Sequence, residues 1–248
     1  MHSQFKYNFY SIAAIMVASG TADLVVRLMV GPHPSIEMTI FESPPIYALW
    51  MFVILGGLFS FIGYAFNKLI VVALDIFKDI SKTGILLVGL IGGTIIVIIG
   101  VYFPAMIGGG YHTIYKALGH SFTIYTLLLV FCVRFVLTVL SYGTGVPGGI
   151  FAPIVVLGVI FGMLYGNVMD NYFPDLIPHA GVFAVAGMAG IFAAVVRAPI
   201  TGLVLAIEMT LNYELILPLI ITTVTASVIT AQLGNEPIYT TLLRRSMK

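Results

Sequence analysis

Hydrophobic positions along this chain gather into long runs separated by short polar or glycine-proline breaks. The first apolar run covers about Phe9 to Val30 and ends at Gly31-Pro-His-Pro34. A longer one covers Ile46 to about Phe77; at about 1.5 Å per residue it outreaches a hydrocarbon core of about 30 Å, so tilt or projection from the membrane is expected. Ile85 to Tyr102 follows, rich in glycine (Gly89, Gly92, Gly93, Gly100), which permits close helix packing. Pro104 and Gly108-Gly109-Gly110 break that run, and Tyr111 to Leu118 is amphipathic and too short to span. Phe122 to Leu140 and Phe151 to Val168 are two further runs. Val182 to Glu208 is cut at Arg197-Ala198-Pro199 into two short helices. Leu215 to Leu233 carries Pro218 near its start, and a basic tail, Ile238 to Lys248, closes the chain. The pattern predicts an all-α, polytopic membrane protein with broken, tilted helices. Short and interrupted membrane helices mark a transporter or channel more than a structural subunit.

Composition agrees: of the 248 residues, 60% are hydrophobic and 8% charged, with a mean hydropathy of +1.09. A soluble domain carries about 25% charged residues. A net charge of +1 without a basic cluster argues against nucleic acid or another polyanion as partner. Cys132 is the only cysteine, so disulfides and cysteine metal sites are excluded, and it reads as a small buried apolar residue. The five histidines show no metal spacing; His33, His120 and His179 read as solvated. His-Glu-x-x-His, a phosphate loop and a Gly-x-Ser-x-Gly elbow are all missing. No enzyme activity, metal or cofactor is expected.

Ionisable residues inside the runs need an account. Asp23 and Arg27 stand four apart on one helical face and read as an intrahelical pair. Arg134 and Arg197 read as interior pairing or anchoring, and Glu208 as a structural ion pair. Lys6, Lys78, Lys82, Arg197, Arg244, Arg245 and Lys248 fall at ends consistent with one side. The loops 31–45, 170–180 and 212–214 hold acids without Lys or Arg and fall on the other. Both termini are therefore expected in the cytoplasm. The crossings close only if the runs before and after Gly143–Pro153 make a single excursion and meet inside the membrane.

That junction, Gly143-Thr-Gly-Val-Pro-Gly-Gly-Ile-Phe-Ala-Pro153, packs four glycines and two prolines into eleven residues. It cannot continue a helix, and irregular backbone at membrane depth is tolerated only inside protein or along a cavity. A helix starting there aims free N–H groups and the positive end of its dipole at that cavity. With no acid nearby, the point favours an anion, and Gly149, Ile150, Phe151 and Ala152 are the candidate binding residues. A glycine-rich helix kink is the plain alternative.

Gly149-Ile150-Phe151-Ala152-Pro153, preceded by Gly145-x-Pro147-Gly148, resembles the GxFxP signature of CLC chloride channels and chloride/proton antiporters. The resemblance runs along nearly the whole chain, but only to the later half of a CLC subunit. It implies the second half of an inverted repeat. One transmembrane domain would then fill residues 1–248: first helix and outer loop at about 5–42, second repeat at 43–234, cytoplasmic tail helix at 235–248, and no cytoplasmic regulatory domain. It implies chloride as the transported ion, held by helix-start amides and by the hydroxyl of Tyr239 in Asn235-Glu-Pro-Ile-Tyr239. A homodimer in a prokaryotic plasma membrane is implied as well. The family's GSGxP serine and GxEGP gating glutamate belong to an earlier half that this chain does not contain. Thr144 is therefore not read as the serine, a missing N-terminal half is needed for a complete pore, and channel and antiporter are not distinguished. Two competing readings are an inactive or partner fragment with an assembly role, and another secondary transporter with a glycine-rich broken helix.

Overall fold

The structure, a computed structural model, describes residues 9–31, 36, 38–78, 80, 82–119, 122–145, 148–177 and 179–247. Among them every regular element is helical. Met1–Glu37 and Met38–Lys248 form two compact units. The first holds α1 (Phe9–Met29), where Arg27 Nε donates to Asp23 Oδ2 at 2.7 Å, the expected pair one turn apart.

In the second unit, a 3-10 turn at Ile46–Ala48 leads into α2 (Trp50–Lys78). Together they make a span of 33 residues, about 50 Å long. Then come α3 (Lys82–Tyr102), a 3-10 turn at Pro104–Met106, α4 (Tyr111–Leu118), α5 (Ile124–Gly143) and α6 (Phe151–Tyr172). The chain finishes with α7 (Gly181–Val196), α8 (Pro199–Thr210), α9 (Ile216–Gln232) and α10 (Ile238–Ser246). Among the described residues five helical segments are long and apolar enough to cross a membrane: Phe9–Met29, Ile46–Lys78, Ile124–Gly143, Phe151–Tyr172 and Tyr213–Gln232.

Helix α7 is the centre of this unit. Its residues from Gly181 to Val195 are all buried, as a helix apolar on every face requires. It packs against α2, α6, α8 and α9. The α6–α7 contact is made through Gly158, Gly162 and Gly166, spaced four apart. A side chain at these positions would run into the backbone of Gly187, Phe183 and Ala180 respectively. Lacking side chains there, the two backbones close to contact. On α2, Met51, Phe52, Leu55, Phe59, Phe66 and Ile70 form one buried stripe at helical spacing. Phe52 stacks on Phe183 of α7 with centroids 4.7 Å apart. Buried hydroxyls tie the layers: Ser60 Oγ donates to the Ala226 carbonyl at 3.0 Å, and Tyr165 Oη to that of Met51 at 2.9 Å.

Four readings are corrected. Cys132 is exposed, because Leu127, Val130 and Arg134 define the buried face of α5 and position 132 falls opposite. Gly89, Gly92 and Gly93 of α3 have nothing within 4 Å of where a side chain would stand, so these glycines mediate no packing among the described residues. Glu208 is exposed and has no ion pair among the described residues, since it lies on the outer face of α8. His179 is half-buried rather than solvated: it stacks on Phe41 at 4.9 Å, and its Nδ1 accepts the Gly181 N–H at 2.9 Å at the start of α7. His33 and His120 lie outside the described residues.

Candidate functional site

Helix α5 is capped by Thr123, whose Oγ1 accepts the Thr126 N–H at 3.3 Å. It ends at Gly143, where a side chain would meet Ala73 of α2. The chain turns through Gly145, whose φ of +75° is a conformation that glycine adopts without strain. Val146 and Pro147 lie outside the described residues. Helix α6 then starts at Phe151 with Ile150 as its N-cap residue, at φ −86° and ψ −16°. The expected break is there, and so is the expected new helix start.

Ile150 is only 3% exposed. Among the described residues no carbonyl accepts from the N–H groups of Ile150, Phe151 or Ala152; the first α6 bond runs from Ile154 N to Ile150 O at 3.2 Å. Pro153 has no N–H, so it removes one orphan donor and leaves the cluster at 150–152. The first turn of α6 contains no acid.

A cavity of about 770 Å³ opens beside this start, between α3, α5 and the break. Gly148, Gly149, Ile150 and Pro153 line one part of it, and Arg134 another; among the described residues no Asp or Glu lines it. Arg134 is nearly buried. Its guanidinium donates to the carbonyl of Ile107 at 2.7 Å and to Thr113 Oγ1 at 2.9 Å, and it reaches the Gly108 carbonyl at 3.4 Å. The interior pairing expected of Arg134 is therefore met by carbonyls that the break after α3 leaves free. Its presence on the cavity wall could not be read from the sequence, because it depends on how α5 faces α3. A guanidinium and a helix N-terminus on one cavity, with no carboxylate among its described lining residues, make an electropositive wall.

Phe151 points away from that cavity. Its ring meets Phe192 of α7 edge-on at 5.8 Å, near Met188, Gly202 and Met209. Tyr239 is half-exposed in the first turn of α10, and its hydroxyl makes no hydrogen bond among the described residues. Burial, with Tyr142 at the end of α5 adding, holds that hydroxyl above the ordinary tyrosine range, so it stays a donor at neutral pH. Thr144 bonds locally instead, its Oγ1 donating to the Ser141 carbonyl at 2.7 Å.

The family described as voltage gated chloride channel matches residues 1–231. The chain belongs to this family. It is 43% identical over 251 residues to the H(+)/Cl(-) exchange transporter ClcA of Vibrio campbellii, and 41% identical to that of Salmonella paratyphi A. Each alignment covers the whole of this chain but 54% and 53% of those relatives, so the chain spans about half their length. Among solved structures, a slow cyanobacterial Cl−/H+ antiporter superposes with a TM-score of 0.92 at 38% identity, over 99% of this chain and 58% of the other. A eukaryotic CLC transporter shares the fold at a TM-score of 0.72 and 22% identity, over 95% of this chain and 40% of the other. The all-helical architecture with broken helices is thus that of CLC proteins.

Proposed function

We propose that this chain supplies one half of a chloride/proton exchanger of a bacterial plasma membrane, and that the amides of Ile150, Phe151 and Ala152 with the Tyr239 hydroxyl hold the transported chloride. The observation that carries this reading is the start of α6: adjacent backbone donors without carbonyl partners among the described residues, no acid in the first turn, and Arg134 on the wall of the same cavity. Chloride suits such donors because each contributes a partial charge. Binding is then strong enough for entry and weak enough for release. Exchange is favoured over simple conduction because the bacterial relatives and the antiporter of known structure are named exchangers. Both termini are assigned to the cytoplasm by the placement of Lys and Arg, and a homodimer follows from the resemblance.

An ion leaving water must replace its hydration shell on all sides, and one helix start with one tyrosine covers only part of it. The remaining ligands and the carboxylate that couples protons are assigned to a second half, the part of the relatives that the alignments leave uncovered. The test is chloride efflux and proton uptake in liposomes. Flux is expected only when the chain is reconstituted with a co-expressed upstream half, and it should fall on changing Phe151→Ala or Tyr239→Ala. Chloride-selective flux from the 248-residue chain alone would refute the half-site. A co-expressed pair that assembles yet carries no chloride would refute the transport reading.

A further inference from the structure

Three buried side-chain atoms make no hydrogen bond among the described residues: Asn67 Oδ1, Arg197 Nε and Asn235 Nδ2. They belong to residues already joined through one piece of backbone. Asn67, on α2 and only 4% exposed, uses both hydrogens of its amide. One goes to the carbonyl of Val195 at 3.0 Å, in the last turn of α7, and the other to that of Glu236 at 3.1 Å. Arg197 Nη1 donates to the adjacent carbonyl, Asn235 O, at 2.8 Å. Two side chains from two helices thus grip consecutive carbonyls of the turn that leads into α10. Tyr239 lies three residues beyond Glu236.

The backbone at Arg197 shows how firmly this grip is built. Arg197 ends α7 at φ +63°, a left-handed position where glycine is the usual residue. A non-glycine residue persists there when its surroundings fix it, and here the surroundings are the Asn235 carbonyl. The other ties of α10 are weaker. Arg244 with Glu236 and Arg245 with Asp75 are solvent-exposed ion pairs, whose worth is small. Ile238 alone anchors the helix by burial. Among the described residues the Tyr239 hydroxyl has no hydrogen bond of its own, so its place is set by the backbone that carries it.

We propose that Asn67 and Arg197 are positioning residues for Tyr239, forming a latch that fixes the start of α10 against α2 and α7. Asn67 Oδ1 is an acceptor, and Arg197 Nε and Asn235 Nδ2 are donors, so the leftover atoms are of both kinds. The latch rests on the reading of Tyr239 as a chloride contact, and it adds the residues that aim it.

The test uses the full chain in lipid nanodiscs with 3-fluorotyrosine at position 239, read by fluorine NMR while sodium chloride replaces sodium gluconate. One resonance that shifts with chloride is expected for the unaltered chain. Asn67→Leu keeps the shape and removes both hydrogen bonds, and is expected to split or broaden that resonance. Apparent chloride affinity should weaken about three- to tenfold, the size of a lost hydrogen bond. Arg197→Gly guards against misfolding, because glycine relaxes the left-handed backbone while deleting the grip. It should melt no lower than the parent and still disorder the resonance. Arg244→Gln, which removes only an exposed pair, should leave the spectrum unchanged. Resonances in Asn67→Leu and Arg197→Gly that superpose on the parent's would overturn the latch. A parent resonance that ignores chloride while both variants disorder it would overturn the anion role of Tyr239 and leave the mechanical link standing.

Discussion

Two glycine-rich helices in this molecule use the same residue in opposite ways. In α6, a side chain at Gly158, Gly162 or Gly166 would collide with the backbone of α7. In α3, Gly89, Gly92 and Gly93 have no described residue within 4 Å of where a side chain would stand. The first set brings two helices to backbone contact and makes the best-buried region of the unit. The second borders the cavity that reaches the start of α6. Glycine in a membrane helix therefore signals a smooth face, and only the neighbour decides whether that face is packed. On the proposed division of the transporter, the open face of α3 is the one that would meet its other half.

The largest effect is expected at Gly162→Val. The added side chain would meet the Phe183 carbonyl, which is backbone and cannot swing aside. Overpacking of this kind costs about 1–3 kcal/mol or more. Loss of a monodisperse peak in size-exclusion chromatography is the expected result, and a chain that elutes and melts like the parent would show that α6 and α7 are not in backbone contact. Next comes Arg134→Met, which keeps much of the apolar stem but abandons the carbonyls of Ile107 and Gly108. Leaving such groups unsatisfied costs about 1–3 kcal/mol. Proteolysis should then cut the segment between α3 and α4 while the α6–α7 core stays protected.

Much of this fold could be read from hydrophobic runs and their punctuation. Pro104, the Arg197-Ala198-Pro199 cut and the Gly143–Pro153 break fall at helix ends, and α4 spans Tyr111–Leu118 as expected. Proline and glycine act through local backbone chemistry, so their effect is visible without tertiary knowledge. Facing is another matter. The period-four glycines of α6 were available as a packing signal, but those of α3 looked equally good. Cys132 and Glu208 went wrong for the same reason, since hydropathy places a residue in a helix without saying which face it occupies. Of the candidate site, the helix start at Phe151 rests on local chemistry and was legible. The cavity wall at Arg134 and the grip of Asn67 on the turn before Tyr239 need contacts between distant segments, 169 positions apart for Asn67 and Glu236.

Gly92→Leu sharpens the comparison from the open side. With nothing within 4 Å to clash, the chain alone should keep its melting temperature, as substitutions away from packed features stay within about 0.5 kcal/mol. When the upstream half is supplied, the same leucine should impair assembly and chloride flux. A variant that assembles and transports normally would mean that the face of α3 meets only lipid.

The smallest effect concerns Tyr239, which is linked to both regions: its turn is held by α2 and α7, and its hydroxyl senses Tyr142 at the cavity end of α5. Burial first, and Tyr142 second, raise its folded-state pKa above the ordinary value of about 10. The sign follows from linkage. A raised pKa means that the folded chain favours the neutral hydroxyl, so its contribution is fully present below about pH 10 and is lost as pH rises through the folded-state value. Between pH 5 and 9 the hydroxyl is un-ionised in folded and unfolded chains alike, and Tyr239→Phe should leave the pH dependence of melting in that window untouched. Above pH 10 the unfolded chain gains an ionised tyrosine that the folded chain resists. The parent should therefore lose slightly more stability than Tyr239→Phe between pH 9 and 10.5. Because the side chain is half-exposed, the difference should be small, and it is best read as paired melting curves in one lipid composition. Parallel curves for the two chains would show that Tyr239 is as solvated as in the unfolded state, and would loosen the link between α10 and the break.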